Sequence, residues 1–449
     1  YAVKNARQNE RYRKALAVYE RGEYAEAETL LINYLREDRN QENAWVKLAE
    51  LYGKQKRWLQ SARCWRFASS LNRLNEKYSR AYIEALLRTR SFRDAAEAIG
   101  RLPEGERKRF QPEICLACLM GGQPNKAKPL LAELPAADDG IRSRWVRFAA
   151  DHMAQWAVGK GLASPQLAEF ARSGDEVVAL EALIRLLQGV TAEKKMAEAE
   201  QYLKRMAEIN PGFAFPLLGD FYYQAKRYED AARAYHEAVV FGLPLDAVFR
   251  YADVLFFLNK TDDLKKLAPA FQQGGRETML CGFYIEALIA YMEKNTEALG
   301  RNLKQLDASV QSPLAAVMRF DYALMTADLP MLQAALKEIV SRNDLKGFYP
   351  TAYEKLQPLL LKFYTERKIA EAAPLARLVY PTHRDNLLLA RIIFLQQGMT
   401  DSVLQGELNA ALEKFPDDPV LLTVAVDYRL QKGEFEAALP LARKNVAVG

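Results

Sequence analysis

Apolar residues return along this chain at i, i+3, i+4 and i+7, the spacing of one face of an α-helix. Trp45, Leu48, Ala49 and Tyr52 stand in that register, and Phe215, Leu218, Gly219 and Tyr222 repeat it. The pattern predicts amphipathic helices, each with a stripe that a neighbour must cover. Within a stripe, a small residue (Ala49 or Gly219) lets a second helix approach, and the aromatic one turn later fills the adjacent gap. No strand–helix–strand pattern accompanies these helices. No stretch approaches the roughly 18–20 uninterrupted apolar residues of a membrane span.

A second, longer period lies above the helical one. "GEYAEAETLL" from Gly22 is followed by "KRWLQSARCW" from Lys56, "RSFRDAAEAI" from Arg90 and "GQPNKAKPLL" from Gly122. "KKMAEAEQYL" from Lys194, "KRYEDAARAY" from Lys226 and "GEFEAALPLA" from Gly433 continue it. Weaker copies begin at Lys260, Lys294, Ala327, Lys368 and Gly398, and a degenerate one fits near Gly159. The spacing is close to 34 residues, with a longer loop at "NDLKGFYPTA", which gives about thirteen units.

Each unit resembles the tetratricopeptide repeat. Trp45, Leu48, Ala49 and Tyr52 match its first-helix signature W-x-x-L-G-x-x-Y, and Ser61, Trp65 and Ala68 match the second-helix packing positions. Phe215, Leu218, Gly219 and Tyr222, followed by Ala231, Tyr235 and Ala238, match it again. Lys265 departs from it at a position usually held by Ala, and 141–175 barely matches. The resemblance implies an all-α solenoid, a right-handed superhelix of about thirteen helix-turn-helix repeats. The expected division is a basic N-terminal array (1–140), a degenerate or irregular helical region (141–193), a central array with an apolar groove (194–345) and a C-terminal array and cap (346–449).

Such an array grows by stacking, which suits 449 residues better than one enlarged core. Charge is uneven along it. Residues 1–110 hold 24 Lys/Arg against 15 Asp/Glu, whereas the remainder holds 39 against 42. The N-terminal quarter is therefore expected to face an anionic membrane surface or an acidic partner, through a patch of Lys77, Arg80, Arg88 and Arg109. A solvated basic surface is the plain alternative. The chain opens on Tyr1, and "YAVKNARQNERYRK" sets Lys4, Arg7, Arg11, Arg13 and Lys14 behind a short apolar end. That suits the flank of a removed signal or anchor, or equally a basic first helix. The expectation is a bacterial envelope location, tethered or exported by the removed segment, with the cytoplasm as alternative.

Chemical candidates are few. Cys115 and Cys118 share the C-x-x-C spacing of redox dithiols and half zinc sites, but they fall on the positions of Ala49 and Tyr52 in their own repeat. They are expected to be packing residues, because no second ligand pair and no dithiol-bearing strand is present. Cys64 and Cys281 read the same way, and His152, His236 and His383 lie in three separate units. "QQGGRE" at 272–277 lacks the Lys-Ser/Thr end of a phosphate loop. No catalytic or metal constellation and no cofactor is expected.

The resemblance implies that the first helices line a concave surface for a peptide or helical partner. Its mid-section is expected to hold Tyr223, Arg250, Val254, Phe257, Tyr284, Leu288, Tyr291 and Met292, continuing through Val317, Leu324, Leu388, Ile392 and Leu395. Relatives that clamp a C-terminal carboxylate use Lys and Asn on consecutive first helices. Here those positions read Val46 and Glu50, Arg80 and Glu84, Pro216 and Asp220, so that partner is not expected. The reading is a non-enzymatic protein-binding scaffold, set by analogy in an envelope assembly for secretion, polysaccharide export or surface assembly. Nucleic acid is not expected, since no nucleic-acid module is present, and the oligomeric state is open. The alternatives are a regulatory arm of a larger enzyme and a glycan-binding solenoid with Trp145 and Trp156 as its platforms.

Overall fold

The computed structural model describes residues 2–73, 75–306, 309–310, 312–396 and 401–448. The repeat copy read at Gly398 and the side chains of Lys4 and Arg7 lie outside the described residues. The chain divides into two compact units, Tyr1–Val254 and Leu255–Gly449.

The first unit runs through α1 (Ala2–Glu20), α2 (Tyr24–Glu37), α3 (Glu42–Lys54), α4 (Trp58–Leu71), α5 (Glu76–Arg88), α6 (Phe92–Gly100), the single turn α7 (Glu104–Arg107), α8 (Gln111–Met120) and α9 (Pro124–Ala132). It continues with α10 (Ile141–Ala157), α11 (Pro165–Ala171), α12 (Glu176–Ala192), α13 (Met196–Ile209), α14 (Pro211–Gln224), α15 (Tyr228–Val239) and most of α16 (Leu245–Phe257). The second unit holds α17 (Thr261–Leu267), α18 (Arg276–Met292), α19 (Thr296–Leu303), α20 (Pro313–Thr326), α21 (Leu329–Ser341) and α22 (Tyr349–Thr365). It closes with α23 (Ile369–Val379), α24 (Leu387–Leu395), α25 (Asp401–Lys414), α26 (Pro419–Gln431) and α27 (Phe435–Val448). Among the described residues most helices pair in sequence as the first and second members of a tetratricopeptide-like repeat, the single turn α7 apart, and no strand occurs.

The long period is written into the backbone. Left-handed residues stand at 22, 56, 90, 122, 159, 194, 226, 259, 294, 327, 367 and 433, each at the turn inside a pair. At each turn the next residue's N–H reaches back to the carbonyl five residues earlier: Arg57 to Tyr52 at 2.9 Å, Arg227 to Tyr222 at 2.9 Å, Lys368 to Phe363 at 2.8 Å. That is the Schellman closure, which satisfies the orphan carbonyls of the first helix and turns the chain in one residue. The copies read from Lys260 and Lys368 are corrected by one residue, since the left-handed positions are Asn259 and Arg367.

Packing follows the small-to-large pattern. A Cβ on Gly219 would stand 2.5 Å from the buried ring of Tyr235, so only glycine lets α15 lie this close to α14. Successive repeats are tied by a polar clamp that occurs in two copies. The Tyr52 hydroxyl donates to Glu28 at 3.0 Å, Arg57 donates to the same carboxylate at 2.6 Å, and its guanidinium lies 4.6 Å from the Tyr52 ring. Tyr222, Glu200 and Arg227 repeat it with 2.9, 2.8 and 4.5 Å.

The region read as a degenerate or irregular helical region, 141–193, holds the three helices α10, α11 and α12. In α12 every residue from Val177 to Leu183 is buried, because α5, α10, α11 and α13 all pack on it. A helix covered on all sides has no polar face to display, which is why its repeat signature is weak. The division between the units at 254/255 falls inside the stretch assigned to one central array.

Candidate functional site

In the second unit, the turn ends of the first helices leave a cleft of about 500 Å³. Ala290 and Tyr291 of α18, Lys294 of the turn, and Thr296 and Leu299 of α19 form one wall. Asp321, Leu324 and Met325 of α20, with Lys355 of α22, form the other. The register that closes each pair brings these residues together. Tyr291 and Leu324 stand one place before Met292 and Met325, which lie two residues before left-handed Lys294 and Ala327.

Apart from Lys294 and Thr296, the polar groups of the cleft form one centre. The Tyr291 hydroxyl donates to Asp321 at 2.6 Å, and the Lys355 ammonium donates to both oxygens of that carboxylate at 2.8 and 3.0 Å. Asp321 is buried while Lys355 is partly exposed. Burial, reinforced by the bond to Asp321, pushes the Tyr291 phenol above its ordinary range. The three titratable groups thus satisfy one another, and the remaining surface offers apolar contact with a cationic edge. Met325 is 60% exposed.

The residues expected to line the groove separate into three groups. Tyr291 lines the cleft, Met292 lies half-buried beside it with its sulfur 3.7 Å from the Thr261 hydroxyl, and Phe257 is 44% exposed. Tyr223 and Arg250 are half-buried and already engaged. Arg250 holds Asp220 at 2.6 and 2.9 Å and Asp246 at 2.8 Å, and Tyr223 reaches Asp253 at 3.4 Å. Val254, Tyr284 and Leu288 are corrected to core residues, because each is fully buried; the Tyr284 hydroxyl lies 2.5 Å from Ser312. Farther along, Val317 and Ile392 are core, whereas Leu324 lines the cleft and Leu395 is exposed. Sequence reading missed Asp321, Met325 and Lys355. A signal was present: Asp220–Arg250, Tyr223–Asp253 and Tyr291–Asp321 are all polar pairs 30 residues apart.

Two of the four residues of the basic patch of the first unit are ion-paired. Arg88 pairs with Glu84 and Glu176, and Arg109 pairs with Glu76 at 2.9 Å. Arg80 lies 4.7 Å from the Phe110 ring, and Lys77 is exposed. Both line a cleft of about 340 Å³ over Glu84, Glu113 and Arg142. Trp145 and Trp156 are buried, with ring centroids 5.9 Å apart, so the two proposed glycan platforms are core residues.

All four cysteines are buried. Burial pushes Cys64 and Cys115 up to about 12 and Cys281 up to about 11, and raises Cys118, which disfavours the thiolate that redox or nucleophilic chemistry needs. Among the described residues no group of three or more His, Cys, Asp or Glu is placed to hold a metal ion, and no helix is long and apolar enough to cross a membrane.

No family model and no curated protein sequence matches the chain. Among solved structures it is similar to a chain of the Naa15/Naa10 complex bound to HypK-THB, at 15% identity and a TM-score of 0.26, covering 97% of this chain and 62% of that one. Yeast Tom70 is similar at 12% identity and a TM-score of 0.23, over 99% of this chain and 93% of that one. The P58(IPK) TPR domain is similar at 13% identity and a TM-score of 0.27, over 90% of this chain and 98% of that one. The tetratricopeptide-like character of the chain comes from its own helix pairs and turns.

Proposed function

We propose that this protein is a non-enzymatic scaffold that docks a peptide or helical segment of a partner protein in the cleft between α18 and α20. The observation that carries the reading is the cleft itself: an open apolar hollow of about 500 Å³ whose Tyr291–Asp321–Lys355 centre is satisfied internally. Such a centre holds the walls in place and leaves recognition to apolar contact and edge charge.

The test is affinity capture from the native host with full-length wild type, Met325→Asp and an exposed control, Leu439→Asp. A protein retained by wild type and by the control, and lost by about tenfold from Met325→Asp at unchanged helicity, supports docking here. Equal retention by all three overturns it. The envelope setting belongs to the same proposal, supported by exposed Arg11, Arg13 and Lys14 on α1. Sedimentation with anionic vesicles should then weaken sharply with salt.

A further inference from the structure

We infer that α4 lays the first unit on an anionic lipid surface, with its exposed leucines at the acyl boundary and its arginines on the phosphates. This rests on the anionic-membrane reading above and names the face that meets the lipid, on a helix outside the basic patch.

Two faces of α4 differ in kind. Ser61, Ala62, Cys64 and Ala68 are buried. Counted from Leu59 in steps of four, Arg63, Phe67 and Leu71 follow one another along the other side, with Arg66 and Ser70 next to them, and all six are exposed. Leu59, Phe67 and Leu71 are 46%, 43% and 40% exposed. The Phe67 ring stacks on Trp45 with centroids 4.6 Å apart, so its exposed part is held in place. Leu59 and Leu71 bracket the arginines, about 18 Å apart along the helix axis.

The charge of this face is not matched within the array. No carboxylate stands on α4, and among the described residues Arg63, Arg66 and Arg73 (two places past its end) form no ion pair. Arg66 lies 5.8 Å from the Phe67 ring. The second helices before and after it do not cancel the excess. Glu28, Glu37 and Glu97 are already held by Arg57, Arg11 and Arg101. Across α2, α4 and α6 the charges left without an ion pair among the described residues are Arg36, Arg63, Arg66 and Arg93 against Glu26 and Asp94. In the basic patch, by contrast, Arg88 and Arg109 are paired.

The combination selects the ligand. A guanidinium offers phosphate oxygens a planar fork of donors, and each basic residue near an anionic leaflet strengthens attachment about fivefold. Exposed leucines add nothing to a dissolved polyanion, whose surface is charged throughout. At a bilayer they enter the boundary between headgroups and acyl chains, where an in-plane helix buries its apolar side chains. Arginines bracketed by leucines on one helix face therefore fit a lipid surface, which supplies both phosphate and hydrocarbon.

The test is sedimentation of the full chain with vesicles of phosphatidylcholine alone and of phosphatidylcholine with about 30% phosphatidylglycerol. Wild type should bind the anionic vesicles and not the neutral ones. Arg63→Gln, Arg66→Gln and Arg73→Gln together should cut binding about tenfold or more, and Leu59→Ser with Leu71→Ser about fivefold, both at unchanged helicity. Loss in the arginine variant but not in the leucine variant points to a nucleic acid or an acidic protein and overturns the lipid assignment. Full binding by both variants, with loss in Arg13→Gln, Lys14→Gln on α1, overturns the α4 face and leaves the membrane reading standing. A wild type that ignores anionic vesicles overturns both.

Discussion

Ala327 adopts a φ of 54° at the turn between α20 and α21, with no side chain that offsets the conformation. The left-handed region costs a non-glycine residue about 1–2 kcal/mol, of which glycine recovers part after its larger loss of chain entropy. Ala327→Gly should therefore stabilise the protein by about 0.5–1 kcal/mol, read as a higher denaturant midpoint. Gly122→Ala, at φ 73°, should do the reverse by a similar amount. Gly219→Ala tests packing rather than dihedral strain. The new methyl meets Tyr235, which is fully buried, and overpacking of that kind costs about 1–3 kcal/mol. An unchanged midpoint there means that α14 and α15 do not interlock as described. The cysteines were legible from the repeat register alone: Cys115 and Cys118 fell on a small and a large packing position, and both are buried. Cys115→Ala should leave the fold intact, whereas Cys118→Asp should unfold its repeat locally. The groove residues were harder to read. Register names the helix and the turn, but Tyr284 and Phe257 look alike in sequence, and only the neighbouring repeat decides that one is core and the other exposed.

At the scale of the element, two helices show what a repeat pattern reveals and conceals. In α13, Glu200 accepts from Lys204, Arg227 and Tyr222, and these bonds, Lys204 first, hold its carboxyl down to about 2 against the opposing effect of burial. An unfolded chain protonates a glutamate near 4.3, so it binds the proton more readily than the folded one does. The stability that Glu200 contributes is thus fully present above about pH 4.5 and is lost as pH falls toward 2. Glu200→Gln should flatten that part of the acid limb, measured as urea midpoint against pH. An unaltered slope removes the clamp as its source. The members of this clamp sit at matched places in two pairs of successive repeats, so it was open to a reader who compared polar as well as apolar positions. The helix α12 was not open in the same way. Its signature dissolves because Val177–Leu183 are buried on every side, and a segment without a polar face resembles degenerate sequence until its four neighbours are known.

At the scale of the whole chain, an ideal repeat array gains stability only between nearest neighbours. The first unit departs from that rule. Arg88 pairs with Glu176, Asn210 donates to the Arg88 carbonyl at 2.6 Å, and Lys56 reaches the Glu208 carbonyl, contacts that join residues 88 to 152 positions apart. The most buried of these ties is Arg90 to Glu181, at 2.5 and 3.3 Å, with the glutamate 1% exposed. Removing one partner of such a pair strands a buried charge, at a cost of about 3–5 kcal/mol. Arg185 lies close enough to interact with Glu181, so the lower end applies. Arg90→Met should accordingly destabilise the first unit by about 3 kcal/mol, and Arg90→Met with Glu181→Leu should recover part of it, because the buried carboxylate is gone although Arg185 then loses its acidic neighbour. Hydrogen exchange locates the effect: amides of α5, α6 and α12 should lose protection in the single variant and regain part of it in the double. Those of α22–α24, in a separate core, should stay unchanged. If the single variant instead loosens only α5 and α6, the tie to α12 is incidental and the first unit behaves as an ordinary nearest-neighbour array.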